Sequence, residues 1–155
     1  MIDPESALSA WWSLLKPGGF LVLVVPDEDL YEQGLWPSKF NPDHKFTFRL
    51  DKPDSWSPVS FDVRKLVSAM PGCEIVSAAV QDAGYDYSLQ MKAGSVYRRK
   101  VFGLRLLKSV AKRIPAAGPR LKLAVERLGI RLGAPVDQTL RNALAQIQVV
   151  ARKSS

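Results

Sequence analysis

Residues 12–27 read Trp-Ser-Leu-Leu-Lys-Pro-Gly-Gly-Phe-Leu-Val-Leu-Val-Val-Pro-Asp, and this stretch decides the fold class. Its first part belongs to an amphipathic helix. The Lys-Pro-Gly-Gly turn ends that helix, because proline cannot continue it and glycine accepts a positive φ. Residues 20–25 are apolar without alternation, and Pro26 and Asp27 stop the run. Such a run predicts a strand that is covered on both faces, as in an α/β sheet.

Helix and strand signals continue along the rest of the chain. Asp3 and Pro4 occupy the N-cap and first helical position of a predicted helix that runs to about Leu15. The other predicted elements are an irregular segment over 33–58, a helix over 61–70 capped by Ser60, a strand over 73–80, two basic amphipathic helices over 95–133 split at 115–119, a connector with a helical turn over 135–144, and a strand over 145–152 near the rim of a sheet.

The size and composition are those of one domain. The chain has 155 residues, of which 46% are hydrophobic, enough for a single core. Cys73 is the only cysteine, which excludes an intrachain disulfide and a cysteine-rich metal site and indicates a reducing compartment. No stretch approaches the roughly 20 apolar residues of a membrane span, and the first residues are acidic where a signal peptide would be basic. We therefore expect a cytoplasmic location and no metal site.

The positive charge is concentrated in one segment. Residues 97–131 contain eleven Lys or Arg and one Glu, a net charge of +10, whereas the rest of the chain has eleven basic and fourteen acidic residues, a net charge of −3. Interactions with charged partners are therefore expected from this segment alone.

Three motifs, taken in order, carry a family resemblance. The Leu-Leu-Lys-Pro-Gly-Gly landmark with its apolar strand comes first, His-Lys-Phe-Thr-Phe follows at 44–48, and Pro-Gly-Cys-Glu-Ile-Val comes third at 71–76. Over residues 3–87 and 137–153 the chain resembles the C-terminal half of the class I S-adenosylmethionine-dependent methyltransferases. In that family the landmark precedes the fifth strand, and a motif similar to the third enters the sixth.

The resemblance implies an α/β fold with a partial Rossmann-like methyltransferase sheet. That sheet would contain strands five, six and seven of the family, with the last strand antiparallel between the other two, and a basic helical insertion. It divides the chain into an acceptor-side half over 1–94, the insertion over 95–134 and the returning final strand over 135–155.

The part of the family fold that holds S-adenosylmethionine is missing from the sequence. No glycine-rich turn follows a predicted strand, because Gly18 and Gly19 precede theirs. We therefore expect a fragment or truncated product without strands one to four, which binds little cofactor and is inactive alone. Strand 20–26 would then have an open edge, which predicts a homodimer through that edge, coverage by the chain's own helices, or aggregation.

Two polar positions are candidates for catalysis. His44 is the only histidine and lies in the loop after the predicted fifth strand, so its neutral imidazole could take a proton from an attacking hydroxyl or amine. The alternative is a hydrogen bond that merely stabilises the loop. Asp43 would orient His44, or else serve as an ordinary turn residue after proline.

The candidates for acceptor binding follow predicted strands. Asp29 and Tyr31 come after the carboxyl end of strand 20–26, where open α/β sheets place ligands, although acids there also suit a helix start. The aromatic candidates for a pocket wall are Trp36, Phe40, Phe46 and, after the sixth strand, Tyr85. Each aromatic side chain would equally well hold a loop onto the sheet.

The basic segment over 98–131 has three interpretations. It is a cap over the acceptor site, a surface for anionic membranes, or a surface for nucleic acid, of which the last is disfavoured because only Tyr97 and Phe102 offer rings for stacking. The sequence thus predicts the acceptor-side portion of a methyltransferase that acts on a small-molecule or lipid-linked acceptor. The alternative is a non-enzymatic α/β module that presents a basic amphipathic hairpin to a membrane or an acidic partner.

Overall fold

The computed structural model of the chain describes residues 3–91 and 118–154, which form a mixed α/β structure. A π-helical turn spans Glu28–Glu32, and 3₁₀ turns span Tyr87–Leu89 and Thr139–Arg141. The helices are α1 (Pro4–Leu14), α2 (Val63–Ser68) and α3 (Gly118–Arg131), and the strands are β1 (Phe20–Pro26), β2 (Thr47–Arg49), β3 (Ser60–Asp62), β4 (Cys73–Gln81) and β5 (Gln146–Lys153).

Both ends of α1 are fixed by side chains, and its predicted start is confirmed. Asp3 is the N-cap and accepts a hydrogen bond from the backbone N–H of Ser6 at 2.9 Å. At the other end, Nζ of Lys153 donates to the carbonyls of Trp12 and Leu15 at 3.1 and 3.0 Å. These carbonyls are among the last ones of the helix, and that of Trp12 also accepts from the N–H of Leu15 at 3.2 Å, so the end of β5 helps to cap α1.

The glycine pair in the landmark is required by its turn. Gly18 has a φ of 79°, and a Cβ on Gly19 would lie 2.8 Å from the carbonyl oxygen of Lys16. The turn is fastened to β5, because the N–H of Gly18 donates to the carbonyl of Lys153 at 2.8 Å. The turn therefore fixes where β1 begins against β5.

The sheet of β1, β5 and β4 has its last strand in the middle. β5 pairs antiparallel with β1 and antiparallel with β4, with a register shift between Ile75 and Ser77. The predicted strand over 20–26 is present with those bounds, and the predicted strand over 73–80 extends one residue further to Gln81. The last strand was predicted near the rim of a sheet and, from the resemblance, between the other two strands; it lies between β1 and β4, next to the edge strand β1.

One face of the sheet carries the core. The helices α1 and α2 pack on it, and Nε1 of Trp12 donates to the carbonyl of Pro71 at 2.9 Å, which joins α1 to the turn before β4. The buried residues of this cluster are Leu8, Trp12, Val63, Leu66, Val67, Ile147, Val149 and Ala151. Their burial supplies the main hydrophobic stabilisation of the described body.

The other face of the sheet is largely exposed, which corrects the prediction that β1 is covered on both faces. Phe20, Val22 and Val24 are 56%, 57% and 47% exposed, and Val76 of β4 is 53% exposed. An apolar run indicates only that both faces of the strand are apolar. Whether the second face is covered depends on other parts of the chain. The outer edge of β1 also has no strand neighbour among residues 3–91 and 118–154.

The segment over 60–70 differs from its predicted helix. Residues 60–62 form β3, which pairs in parallel with β2, and the helix that follows is limited to Val63–Ser68. Its N-cap is Asp62, which accepts from the N–H of Lys65 at 3.2 Å, so the prediction that Ser60 is the cap is wrong. The strand pairing draws the predicted cap, Ser60, and the first two residues of the predicted helix, Phe61 and Asp62, into β3.

Of the two predicted basic helices, the second is present as α3, and the first lies outside the described residues. The apolar side of α3 faces inward, with Val125 buried against Leu121 and Ala134. Arg141 binds the buried carboxylate of Glu126 through both of its terminal nitrogens. This ion pair fastens α3 to the connector, whose predicted helical turn is the 3₁₀ turn Thr139–Arg141.

Candidate functional site

The site is built on the π-helical turn that follows β1. Asp27 ends the strand and caps the turn: its Oδ1 accepts from the N–H groups of Asp29 and Leu30, both at 2.9 Å. Burial raises the pKa of Asp27 above its ordinary value, although these two hydrogen bonds act in the opposite direction. The chain leaves the turn through Gln33, which has a φ of 52°. The turn therefore presents its acids at the carboxyl end of a strand.

Glu28 fastens the long loop to this turn. Its side chain is fully buried and accepts from Oγ of Ser55 at 2.7 Å and from Oγ of Ser60 at 2.5 Å. Nζ of Lys52 approaches the other carboxylate oxygen at 3.2 Å, and the hydroxyl of Thr47 is a longer contact at 3.4 Å. A buried carboxylate with this many donors is well compensated, so Glu28 has a structural role.

Asp29, a predicted acceptor-binding residue, belongs to the same loop network. Its carboxylate accepts from Nζ of Lys52 at 2.7 Å and from Nε1 of Trp56 at 2.9 Å. Partial burial lowers the pKa of Lys52, but the hydrogen bonds and charges of Asp29 and Glu28 outweigh that effect and leave the pKa raised. Both oxygens of Asp29 are thus engaged within the protein.

His44 pairs with a buried glutamate of the turn. Its Nδ1 lies 2.7 Å from Oε1 of Glu32, whose side chain is 2% exposed, while the His44 side chain is 21% exposed. The ring of Tyr31 lies beside it, with ring centroids 5.1 Å apart, and Phe40 meets Tyr31 edge to face at 5.8 Å. The structure thus brings three of the predicted site residues into one row of ring contacts, and His44 at its end pairs with Glu32.

The remaining predicted residues lie apart from this cluster. Asp43 is exposed, and its N–H donates to Oδ1 of Asn41 at 3.0 Å, so the described partner of His44 is Glu32 and not Asp43. The ring contact of Phe46 is with Phe61. Trp36 is partly buried in the loop, and no hydrogen bond or ring contact with His44 is found for it in the described part.

Tyr85 binds the backbone of the π-helical turn through its hydroxyl. Its hydroxyl donates to the carbonyl of Leu30 at 2.8 Å, and its ring packs edge to face on Tyr87. Burial raises the pKa of Tyr85 far above its ordinary value, so the phenol remains protonated at physiological pH. A phenol that already donates to the backbone is suited to support the site.

The segment after β4 is fastened to the same turn. The side-chain amide of Gln90 donates to the carbonyl of Asp29 at 2.8 Å, and the N–H of Met91 donates to Oε1 of Gln33 at 3.3 Å. Gln33 is buried and donates in turn to the carbonyl of Val136 at 2.8 Å. Gln90 and Met91, the last residues described before 92–117, therefore lie against the turn that carries the candidate site.

Glu28 and Glu32 were missed by the sequence analysis. The signal that was present is the density of acids in 27–32 directly after a strand, together with a single histidine twelve residues later. Their different roles depend on partners from Lys52, Ser55 and His44, and no local pattern fixes those pairings.

S-adenosylmethionine does not fit the residues that the structure describes. The glycine pair of the landmark lies before β1, and the position after β1 is occupied by Asp27, whose carboxylate accepts from the backbone N–H groups of Asp29 and Leu30. No cradle of glycines follows a strand in residues 3–91 and 118–154.

Residues 3–91 and 118–154 contain neither a metal-binding cluster nor a helix that could cross a membrane. No group of three His, Cys, Asp or Glu side chains there is arranged to hold a metal ion. None of the helices described is both long enough and apolar enough to cross a membrane. Comparison with known proteins gives no match to a protein-family model, to a curated protein or to a solved structure.

Proposed function

We propose that this chain is the acceptor-side portion of a class I S-adenosylmethionine-dependent methyltransferase. The observation that carries the proposal is the strand order, with β5 antiparallel between β1 and β4. The family that the sequence resembles inserts its last strand between the fifth and sixth in the same way. The Leu-Leu-Lys-Pro-Gly-Gly landmark also has the position that this correspondence requires, directly before β1.

In this proposal the turn after β1 and the loop over 33–58 receive the methyl acceptor. Tyr31 and Phe40 form an aromatic wall beside His44, and His44 is the group that takes a proton from the acceptor's hydroxyl or amine. Glu28 and Asp29 hold the loop in place, which keeps this wall preorganised. The donor-binding half lies outside the chain, so the chain alone is inactive.

The basic segment is best interpreted as a cap over the acceptor. Gln90 and Met91, which precede this segment in the sequence, bind the turn that carries the site. The apolar side of α3 is used against the protein around Val125, which leaves its basic side for charged groups. Burial of this side within the protein disfavours the alternative of a module that inserts α3 into a membrane.

Isothermal titration calorimetry with S-adenosylmethionine tests the proposal. The titration is run on the whole gene product that carries this chain and, in parallel, on the 155-residue chain. We expect micromolar binding, about −8 kcal/mol, for the whole product, and no measurable heat of binding for the chain alone. Absence of binding by the whole product would contradict the methyltransferase proposal.

A further inference from the structure

The pairing of His44 with Glu32 determines which nitrogen of the ring carries the proton. An ionised carboxylate is only an acceptor, and Oε1 of Glu32 lies 2.7 Å from Nδ1 of His44. With Glu32 ionised, the hydrogen of a neutral imidazole sits on Nδ1, which leaves the lone pair on Nε2.

The second nitrogen of His44 is left for a ligand. In the described part of the chain, Nε2 has no hydrogen-bond partner, and the side chain is still 21% exposed. Tyr31 lies against the ring, with ring centroids 5.1 Å apart, and limits its rotation. A fixed ring with a free acceptor atom has the geometry that a general base requires.

Glu32 differs from Glu28, the other buried glutamate of the turn, in how many of its carboxylate oxygens have a hydrogen-bond partner. Both oxygens of Glu28 accept hydrogen bonds, from Lys52 on one side and from serine hydroxyls on the other. By contrast, Oε2 of Glu32 is buried and has no partner among the residues described. An unsatisfied buried acceptor is unfavourable for folding, so stability of the loop alone does not account for a carboxylate at this position.

We propose that Glu32 is a positioning residue that holds His44 in the Nδ1–H tautomer, so that Nε2 takes the proton of the bound acceptor. The acceptor's O–H or N–H bond breaks and an Nε2–H bond forms, and the resulting imidazolium is stabilised by the buried carboxylate. The proton then passes to solvent through the exposed part of the ring. The role of the acceptor rests on the proposed function, whereas the tautomer does not.

Imidazole ¹⁵N NMR tests the tautomer on the 155-residue chain itself. His44 is the only histidine, so one pair of ring nitrogens is observed. At about pH 9, where imidazoles are neutral, we expect a proton on Nδ1 and none on Nε2 in the wild type. A wild-type ring that carries its proton on Nε2 overturns the proposal, and this measurement does not depend on any variant folding.

Variants of two buried glutamates separate positioning from general stability. Glu32→Gln should lose the single tautomer, because an amide can either donate to Nδ1 or accept from it, and Glu32→Asp should restore it in part. Glu126→Gln is the matched control, since Glu126 pairs with Arg141, and it should keep the wild-type tautomer. An unchanged tautomer in Glu32→Gln, or an equal change in the control, also overturns the proposal.

Turnover by the whole gene product gives a second readout. Glu32→Gln should lower kcat by about 10²–10⁴-fold with little change in KM for the acceptor. The Nδ1–H tautomer together with a whole product that binds no S-adenosylmethionine would sustain the positioning role and refute only the methyltransferase. A whole product that is active, but whose His44 carries its proton on Nε2, would refute the positioning role and sustain the methyltransferase proposal.

Discussion

At the scale of single residues, the acids after β1 have four different environments within six positions. Asp27 accepts from backbone N–H groups of the turn, Glu28 binds one lysine and two serine side chains, Asp29 binds Lys52 and Trp56, and Glu32 binds a histidine. The four carboxylates therefore contribute differently to the free energy of folding, because their burial and their number of hydrogen-bond donors differ. Each environment leads to a measurable consequence.

The contrast between Glu28 and Asp29 predicts unequal effects on stability. Glu28→Gln should lower the free energy of unfolding by about 3 kcal/mol, since it leaves two serine hydroxyls and Lys52 without a buried charge to bind. Asp29→Asn is the matched control and should cost about 1 kcal/mol or less, because Asp29 and Lys52 are both partly exposed. Urea unfolding measures both variants, and equal losses would contradict the assigned roles.

Asp27 predicts a pH dependence of stability. Burial raises its pKa in the folded state, so the folded protein binds a proton more readily than the unfolded chain does. The contribution of Asp27 to the free energy of unfolding therefore decreases as pH rises from its unfolded pKa through its folded pKa. Asp27→Asn cannot ionise, so its stability relative to the wild type should improve between about pH 4 and about pH 7. Urea unfolding at both pH values measures this difference, and a constant or opposite difference would refute it.

At the scale of elements, local signals predicted α1, β1, β4 and β5 because each is marked within its own residues. The Asp3-Pro4 cap and the glycine turn act at short range, and the structure has both. The start of α2 was predicted wrongly because its cause is distant: residues 60–62 pair with β2, more than ten positions away. The same reason explains why the partner of His44 was assigned to its neighbour in sequence, Asp43, and not to Glu32.

The exposed face and open edge of β1 predict self-association. Val22 is 57% exposed and lies on the uncovered side of the sheet, beside Phe20 and Val24. Val22→Lys should reduce concentration-dependent association, because a charge on an edge strand opposes pairing with another chain. Its effect on the free energy of unfolding should be small, about 0.5 kcal/mol, since the side chain is exposed.

Size-exclusion chromatography with light scattering measures this association over a range of concentrations. Leu140→Lys is the matched control, because Leu140 is 82% exposed on the 3₁₀ turn at 139–141, outside the sheet. We expect a weaker tendency to associate in Val22→Lys and no change in the control. A wild type that stays monomeric at every concentration would contradict the prediction.

At the scale of the whole molecule, the separation of charge from apolar surface constrains the partners. Residues 97–131 have a net charge of +10, but the described helix of that segment turns its apolar side toward Val125 and the protein body. Leu128 is exposed on this helix, but one apolar side chain is not an apolar stripe, so the exposed basic residues attract anions mainly by charge, and such attraction is screened by salt. This arrangement suits a cap over a polar or charged acceptor better than a helix that inserts into lipid.

Vesicle flotation therefore has a definite expected outcome. At low ionic strength the chain should float with anionic vesicles and not with neutral ones, and about 0.5 M salt should release it, because the Debye length is then below about 8 Å.

Lys122→Ala should weaken flotation about five-fold, for a loss of about 1 kcal/mol per basic residue, whereas Leu128→Ala should not change it. Lys45→Ala, in the loop outside the basic segment, is the control for a generic loss of charge. Flotation that survives high salt, or that weakens in Leu128→Ala, would show apolar insertion and would favour the membrane module over the cap, because only buried apolar surface resists screening by salt.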